Sequence, residues 1–276
     1  MADTRRIAGR TAGYLFLIVV SVGTAFPFLW MISTSLRKSN TVFTGGIIPS
    51  HFTGTAYQRA WKSVDFLPHF ATSVVISVIT VTCVVGLSTL AGYSFAKLQF
   101  PGKQLIYVIL LSTLMLPVMA LIVPLFLELK TLDLLNTRQG LILVYIGTAL
   151  PFSMFLMRAF FETLPDELIE AARVDGAGEL MTFLRIVLPL ATPGVATVVI
   201  FQFMATWNEF LYATTFIQTP SRLPLQPVLF SLTGQYSSDW PALTAALVMS
   251  IVPIIVVYVR MQRQFVAGLT LGAVKD

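Results

Sequence analysis

The sequence predicts an all-α integral membrane protein with six transmembrane helices, and three observations carry that prediction. Of the 276 residues, 56% are hydrophobic and only 11% are charged, whereas soluble domains carry about a quarter charged residues. Six stretches are apolar over roughly 20 residues, enough to cross about 30 Å of hydrocarbon at about 1.5 Å of helix rise per residue. Lys and Arg fall in short flanks between those stretches, as the charge bias of membrane proteins requires. The net charge of +5 is therefore read as flank charge and not as a nucleic-acid surface, and residues 1–276 are read as a single transmembrane domain.

The first run, about 12–34, follows Arg5, Arg6 and Arg10 in the manner of a signal peptide. Its apolar stretch is longer than the usual h-region of about 7–15 residues, and no small-residue cleavage site follows, so it is expected to stay as a span. The second, about 70–96, holds Cys83, the one cysteine, expected to be a buried inert thiol. The third, about 104–127, carries Pro117 and Pro124. The fourth, about 139–161, carries Pro151, and the sixth, about 241–261, carries Pro253. Each proline removes a helix hydrogen bond and is expected to kink its span. The fifth runs over about 192–217. Two connections, 35–69 and 218–240, are rich in Pro, Gly and polar residues and are read as outer loops. With the N-terminus inside, Lys and Arg divide roughly 11 inside to 7 outside, so both termini are expected in the cytoplasm.

The inner segment 162–191 holds nearly half of the 13 acidic residues. Pro165 suits a first helical turn, with Asp166 and Glu167 favourable at the positive end of the helix dipole. Leu164, Leu168, Ala171 and Ala172 fall at helical spacing on one face, and Asp166, Glu167 and Glu170 on another. Asp175-Gly176 is expected to break this helix, because glycine accepts the left-handed conformation of a cap. A second short helix follows, with Leu180, Phe183, Leu184 and Val187 on one side, ending at Pro189. Helices that lie on membrane surfaces are rich in Lys and Arg. The acidic face here points to a protein partner instead.

Within this segment, Glu170-Ala171-Ala172, then Gly176, then Ile186, Leu188 and Pro189 resemble the EAA motif of ABC importer permeases in both residues and spacing. Trp207-Asn208-Glu209-Phe210 and the tail QRQFVAGLTLGAVKD are similar to carbohydrate-importing permeases of the maltose-transporter type, and to the smaller, six-span second subunit most of all. That tail usually ends in Lys-Gly, whereas this chain ends in Lys275-Asp276. The resemblance implies the MetI-like fold of type I ABC importers in the bacterial inner membrane. It implies that 162–191 couples to an ATPase through Glu170, Ala171, Ala172, Asp175, Gly176, Ile186, Leu188 and Pro189. It further implies an ATPase dimer that carries ATP and Mg, a non-identical second permease and an extracytoplasmic solute-binding protein. No cofactor is expected on this chain, which lacks a Walker A loop and is not expected to be an enzyme.

Glu209 is the one formally charged residue deep within a span, where a carboxylate costs at least about 2.5–3.5 kcal/mol and should face the bundle interior or a watery cavity. With Gln202, Trp207, Asn208 and Tyr212 it forms a polar and aromatic sector suited to a sugar. The alternative stays open that Asn208 and Glu209 hold helices together, since in the resembling maltose system the partner permease makes most sugar contacts. Gln235, Tyr236, Ser237 and Ser238 in the second outer loop are candidates to touch the binding protein, as the resemblance implies, or belong to an ordinary solvated loop. His51 and His69 show no ligand spacing. A glycerol phosphate permease, a secondary transporter and a membrane-embedded enzyme are the rival readings. No Lys or Arg lies deep in a span to take an anion, and no cluster of ionisable groups shares one depth.

Overall fold

The computed structural model describes residues 2–38, 42, 46, 48–49, 51–233 and 239–273. Among them there is no β-strand, and the helices run α1 (Ala2–Ser35), α2 (Thr55–Ser63), α3 (Phe66–Lys97), α4 (Lys103–Ser112), α5 (Val118–Thr131), α6 (Arg138–Glu162), α7 (Glu167–Val174), α8 (Glu179–Thr182), α9 (Leu188–Leu190), α10 (Thr192–Trp207), α11 (Leu211–Phe216), α12 (Leu225–Phe230) and α13 (Trp240–Ala273). Among the described residues four helices are long and apolar enough to cross a membrane, or up to six if each of two sharply bent pairs is one span.

The bends correct the expectation of simple kinks. Lys103–Met115 and Val118–Thr131 meet at 106°. Leu116 precedes proline and is pushed into the extended region at ψ 123°, with Pro117 also extended, so two consecutive residues leave the helix. Pro124, Pro151 and Pro253 lie inside helices that continue through them. The expected fifth span, 192–217, is a helix only to Trp207. Residues 208–210 break it before α11 resumes. The two long connections are also less irregular than expected, since 35–69 contains α2 and 218–240 contains α12.

Backbone contacts divide the chain into two compact units. One comprises residues 1–67 and 228–251. In it the most apolar window of α1 has no buried residue, so in a bilayer those side chains meet lipid or another subunit. Ala56 and Ala60 form the buried face of α2, and Arg59 on that helix donates from Nε and Nη2 to the two carboxylate oxygens of Asp239, at 2.7 and 3.1 Å.

The other unit, 68–227 and 252–276, is built on α3, α6 and α10. A core of Val84, Tyr93, Met157, Phe161, Phe183 and Val198 packs α3, α6, α10 and the 162–191 segment together. Cys83, beside Val84 on α3, is half-buried and not the fully buried thiol expected. Gly92 is buried where α3 approaches α6, and a Cβ there would sit 2.7 Å from the Met157 side chain and 2.9 Å from the Arg158 backbone. Gly92→Leu is therefore expected to overpack this contact at a cost of about 1–3 kcal/mol. Thermal unfolding of the purified protein in detergent should fall by several degrees.

Candidate functional site

The 162–191 segment is anchored to α3 by Lys97 and Tyr93 and braced within itself by Arg173. Lys97, the last residue of α3 and 8% exposed, donates to the Leu164 carbonyl at 2.6 Å and to the Asp166 carboxylate at 2.6 Å. Asp166 stands at the N-cap position of α7, its side chain spent on Lys97 and not on a cap, which places Pro165 before the helix and not in its first turn. The turn after α7 is Asp175-Gly176, with Gly176 at φ +80° as expected. Arg173 bridges this turn to Glu179 at 2.6 Å, and the hydrogen bond and charge of Glu179 hold the Arg173 guanidinium above its ordinary pKa. Tyr93 of α3 donates to the other Glu179 oxygen at 3.4 Å and packs its ring on Phe161 and Phe183.

The faces of these helices differ from the expected ones. Ile169 and Ala172 are the buried residues of α7, while Leu168 is exposed. Thr182, Phe183 and Val187 turn inward on the next stretch, while Leu180 is 66% and Leu184 50% exposed. On α7 the choice is made by packing, since Ile169 joins the core formed with Val84 and Tyr93 of α3 and Met157 and Phe161 of α6, and the next stretch includes a π turn over Phe183–Val187. The stretch also passes Pro189 and continues to Leu190 before a 73° bend into α10. Glu170, Ala171, Asp175 and Gly176 are on the outside, Ile186 and Leu188 half-buried, and Pro189 exposed. Val174, at the tip, is 88% exposed. Acidic and apolar side chains thus share an outer surface carried on a well-packed base.

The predicted pathway residues separate into two groups. Gln202, Glu209 and Tyr212 come together around a cavity of about 240 Å³, joined by Tyr145, Thr148 and Thr206 and by apolar Val118 and Phe152. Trp207 does not reach it. It is 1% exposed, stacked on Phe203 and edge-on to Phe70. Asn208 bonds back to the Met204 carbonyl and faces Gln226 at 3.5 Å. Glu209 accepts the backbone N–H of Tyr212 at 2.8 Å and of Ala213 at 3.1 Å, and the Tyr145 hydroxyl at 2.5 Å. Its carboxylate satisfies the start of α11 and ties it to α6. Tyr145 was not singled out from the sequence, although a lone tyrosine amid an apolar span was a readable signal. Gln235, Tyr236, Ser237 and Ser238 lie outside the described residues. His69 bonds through Nδ1 to the Leu223 carbonyl, and no group of three or more potential metal ligands occurs among the described residues.

Residues 85–270 match the protein family described as binding-protein-dependent transport system inner membrane component. Over 274 residues the chain is 36% identical to the diacetylchitobiose uptake system permease protein NgcG of Streptomyces coelicolor, covering 98% of this chain and 90% of that one. It is also 36% identical over 271 residues to the trehalose transport system permease protein SugB of Mycobacterium tuberculosis, covering 97% and 99% of the two chains. A crystal structure of a bacterial ABC transporter involved in import of the acidic polysaccharide alginate matches with a TM-score of 0.81 at 26% identity, over 94% of this chain and 97% of that one.

Proposed function

The chain belongs to the family of binding-protein-dependent transport system inner membrane components, non-catalytic membrane subunits that work with an ATPase and a substrate-binding protein, and from that premise we propose that it carries a sugar into the cytoplasm. Relatives more than 30% identical over nearly the whole chain are permeases for diacetylchitobiose, trehalose and maltodextrin, and this near-complete kinship is the observation that carries the sugar assignment.

The energy enters through the 162–191 segment. ATP and Mg would bind on a separate ATPase dimer, and closing that dimer would move the outer surface of α7 and its following turn, with Glu170, Ala171, Asp175 and Gly176 at the contact. Because Ile169, Phe183 and Val187 bury the base of this segment against α3 and α6, a push on its tip passes to whole helices and not to a slack loop. The permease then alternates between inward- and outward-facing states, paired with a second, non-identical permease. Both termini lie in the cytoplasm in this reading, which puts the coupling segment on the ATPase side. The solute-binding protein meets the outer loops, with 235–238 as the contact proposed for it.

Purifying the tagged chain from its native membrane in mild detergent tests the assembly. We expect an ATPase, a second permease and a solute-binding protein to accompany it. Recovery of the chain alone, with no ATPase after crosslinking, would count against the coupling role.

A further inference from the structure

We infer that the cavity between α5, α6, α10 and α11 is a subsite for one ring of the transported sugar, so that this subunit holds cargo directly. The inference rests on the sugar-importer reading and adds where in the chain the sugar is met.

The break at 208–210 is the first ground. Irregular backbone at membrane depth persists only where protein buries it or where it lines a wet cavity, and here it borders the cavity that Glu209 and Tyr212 line. The second is the inventory of uncommitted polar atoms. Tyr212 is 4% exposed, and its buried hydroxyl has no hydrogen-bond partner among the described residues, a state that a ligand hydroxyl would relieve. Gln202 is 5% exposed and spends one N–H on Ser153 at 2.9 Å, leaving its carbonyl. The Thr206 hydroxyl is in none of the hydrogen bonds among the described residues. Glu209 Oε1 accepts a single bond, from Tyr212 N, and keeps a second lone pair. These groups offer both donors and acceptors, as a polyhydroxylated ligand needs. Phe152, Val118 and Ala149 give the apolar wall on which the C–H face of a sugar lies.

Charge and size narrow the ligand. The lining holds one carboxylate and no Lys or Arg, so an anionic solute would be repelled without compensation, and a neutral sugar would not. A volume of about 240 Å³ lies below the usual 300–1,000 Å³ of ligand pockets. It suits a single ring of a longer cargo.

The test uses the complete importer, with its ATPase, partner permease and binding protein, in proteoliposomes, and offers maltose, trehalose and diacetylchitobiose among a panel of neutral mono-, di- and trisaccharides. Thr206→Val and Tyr212→Phe remove hydroxyls that hold nothing else among the described residues. Combined, they should raise the KM for the transported sugar about three- to tenfold, the worth of one or two neutral hydrogen bonds, with no loss of thermal stability. As a direct readout, Cys83→Ala combined with Ala205→Cys places one thiol on the cavity wall. In the vanadate-trapped importer, the transported sugar should slow alkylation of that thiol by a maleimide at least threefold. Normal KM together with unprotected alkylation of the introduced thiol, in an importer that still accumulates sugar, would overturn the subsite and leave the sugar reading standing. A raised KM accompanied by lowered stability would mark a structural role and overturn the subsite as well. Failure to accumulate any sugar of the panel would overturn the sugar reading itself.

Discussion

Gly176→Val is expected to abolish most sugar uptake while the protein remains in the membrane at near wild-type amounts. Gly176 sits at φ +80°, where a β-branched residue carries strain of about 1–3 kcal/mol. Among the described residues no atom lies within 4 Å of a Cβ at this position, so the effect comes from backbone conformation and not from a clash. At about 1.4 kcal/mol per tenfold, that strain depletes the native turn about five- to a hundredfold. The turn sets the direction of α7 relative to the stretch that follows it, and with it the surface offered to the ATPase. Gly176→Asn should retain most uptake, because asparagine tolerates the left-handed region. Glu170→Lys tests the same surface by charge. Glu170 is exposed, so its reversal should cost little stability yet uncouple hydrolysis from uptake. Sugar uptake and ATP hydrolysis, measured side by side with the amount of inserted protein, check all three. Normal uptake in both Gly176→Val and Glu170→Lys would remove the coupling role from this segment.

Replacing Glu209 by alanine should have the second largest effect, and it should fall on stability. The carboxylate accepts two backbone N–H groups and one tyrosine hydroxyl, and hydrogen bonds to a charged group contribute about 1.5–3 kcal/mol each. Since bonds sharing one acceptor group do not add fully, a loss of about 3 kcal/mol is expected, with two amides left unsatisfied at the start of α11. Tyr145→Phe breaks one of the three bonds and should cost about 1–2 kcal/mol. Tyr212→Phe breaks none and should cost nothing measurable. Thermal aggregation of the three variants in detergent should rank them in that order. Equal stability of Glu209→Ala and the parent would show that the carboxylate does not hold α11.

The long spans were legible because lipid imposes length and apolarity directly. The stretches expected at 70–96 and 139–161 emerge as α3 (Phe66–Lys97) and α6 (Arg138–Glu162). The 106° bend at Leu116-Pro117 was marked by proline, but proline alone does not tell a kink from a fold. That distinction lies in how many residues turn extended. The break after Trp207 carries neither Gly nor Pro, and its only sign was the Asn208-Glu209 pair in an apolar run. In the coupling segment the acidic outer face and the glycine turn were readable. The buried stripe was not, because Leu168 and Ile169 are equally apolar neighbours and only packing against α3 and α6 selects Ile169 for the core. For the cavity, Gln202, Glu209 and Tyr212 were found from their polarity within one stretch of sequence. Tyr145 joins them from a different helix, across 64 residues, and that proximity is a product of packing. Trp207 was expected on the pathway for its aromatic ring, yet the same ring makes it the largest fully buried side chain among the described residues, because apolar area favours the core.

The most direct test of the account is sugar accumulation in proteoliposomes that hold the complete importer and binding protein, with ion gradients collapsed by ionophores and ATP supplied at the cytoplasmic face. Energy delivered through the 162–191 segment from a separate ATPase predicts uphill accumulation that requires ATP hydrolysis, is indifferent to the ionophores and is lost in Glu170→Lys. Accumulation driven by a proton or sodium gradient without ATP would contradict it.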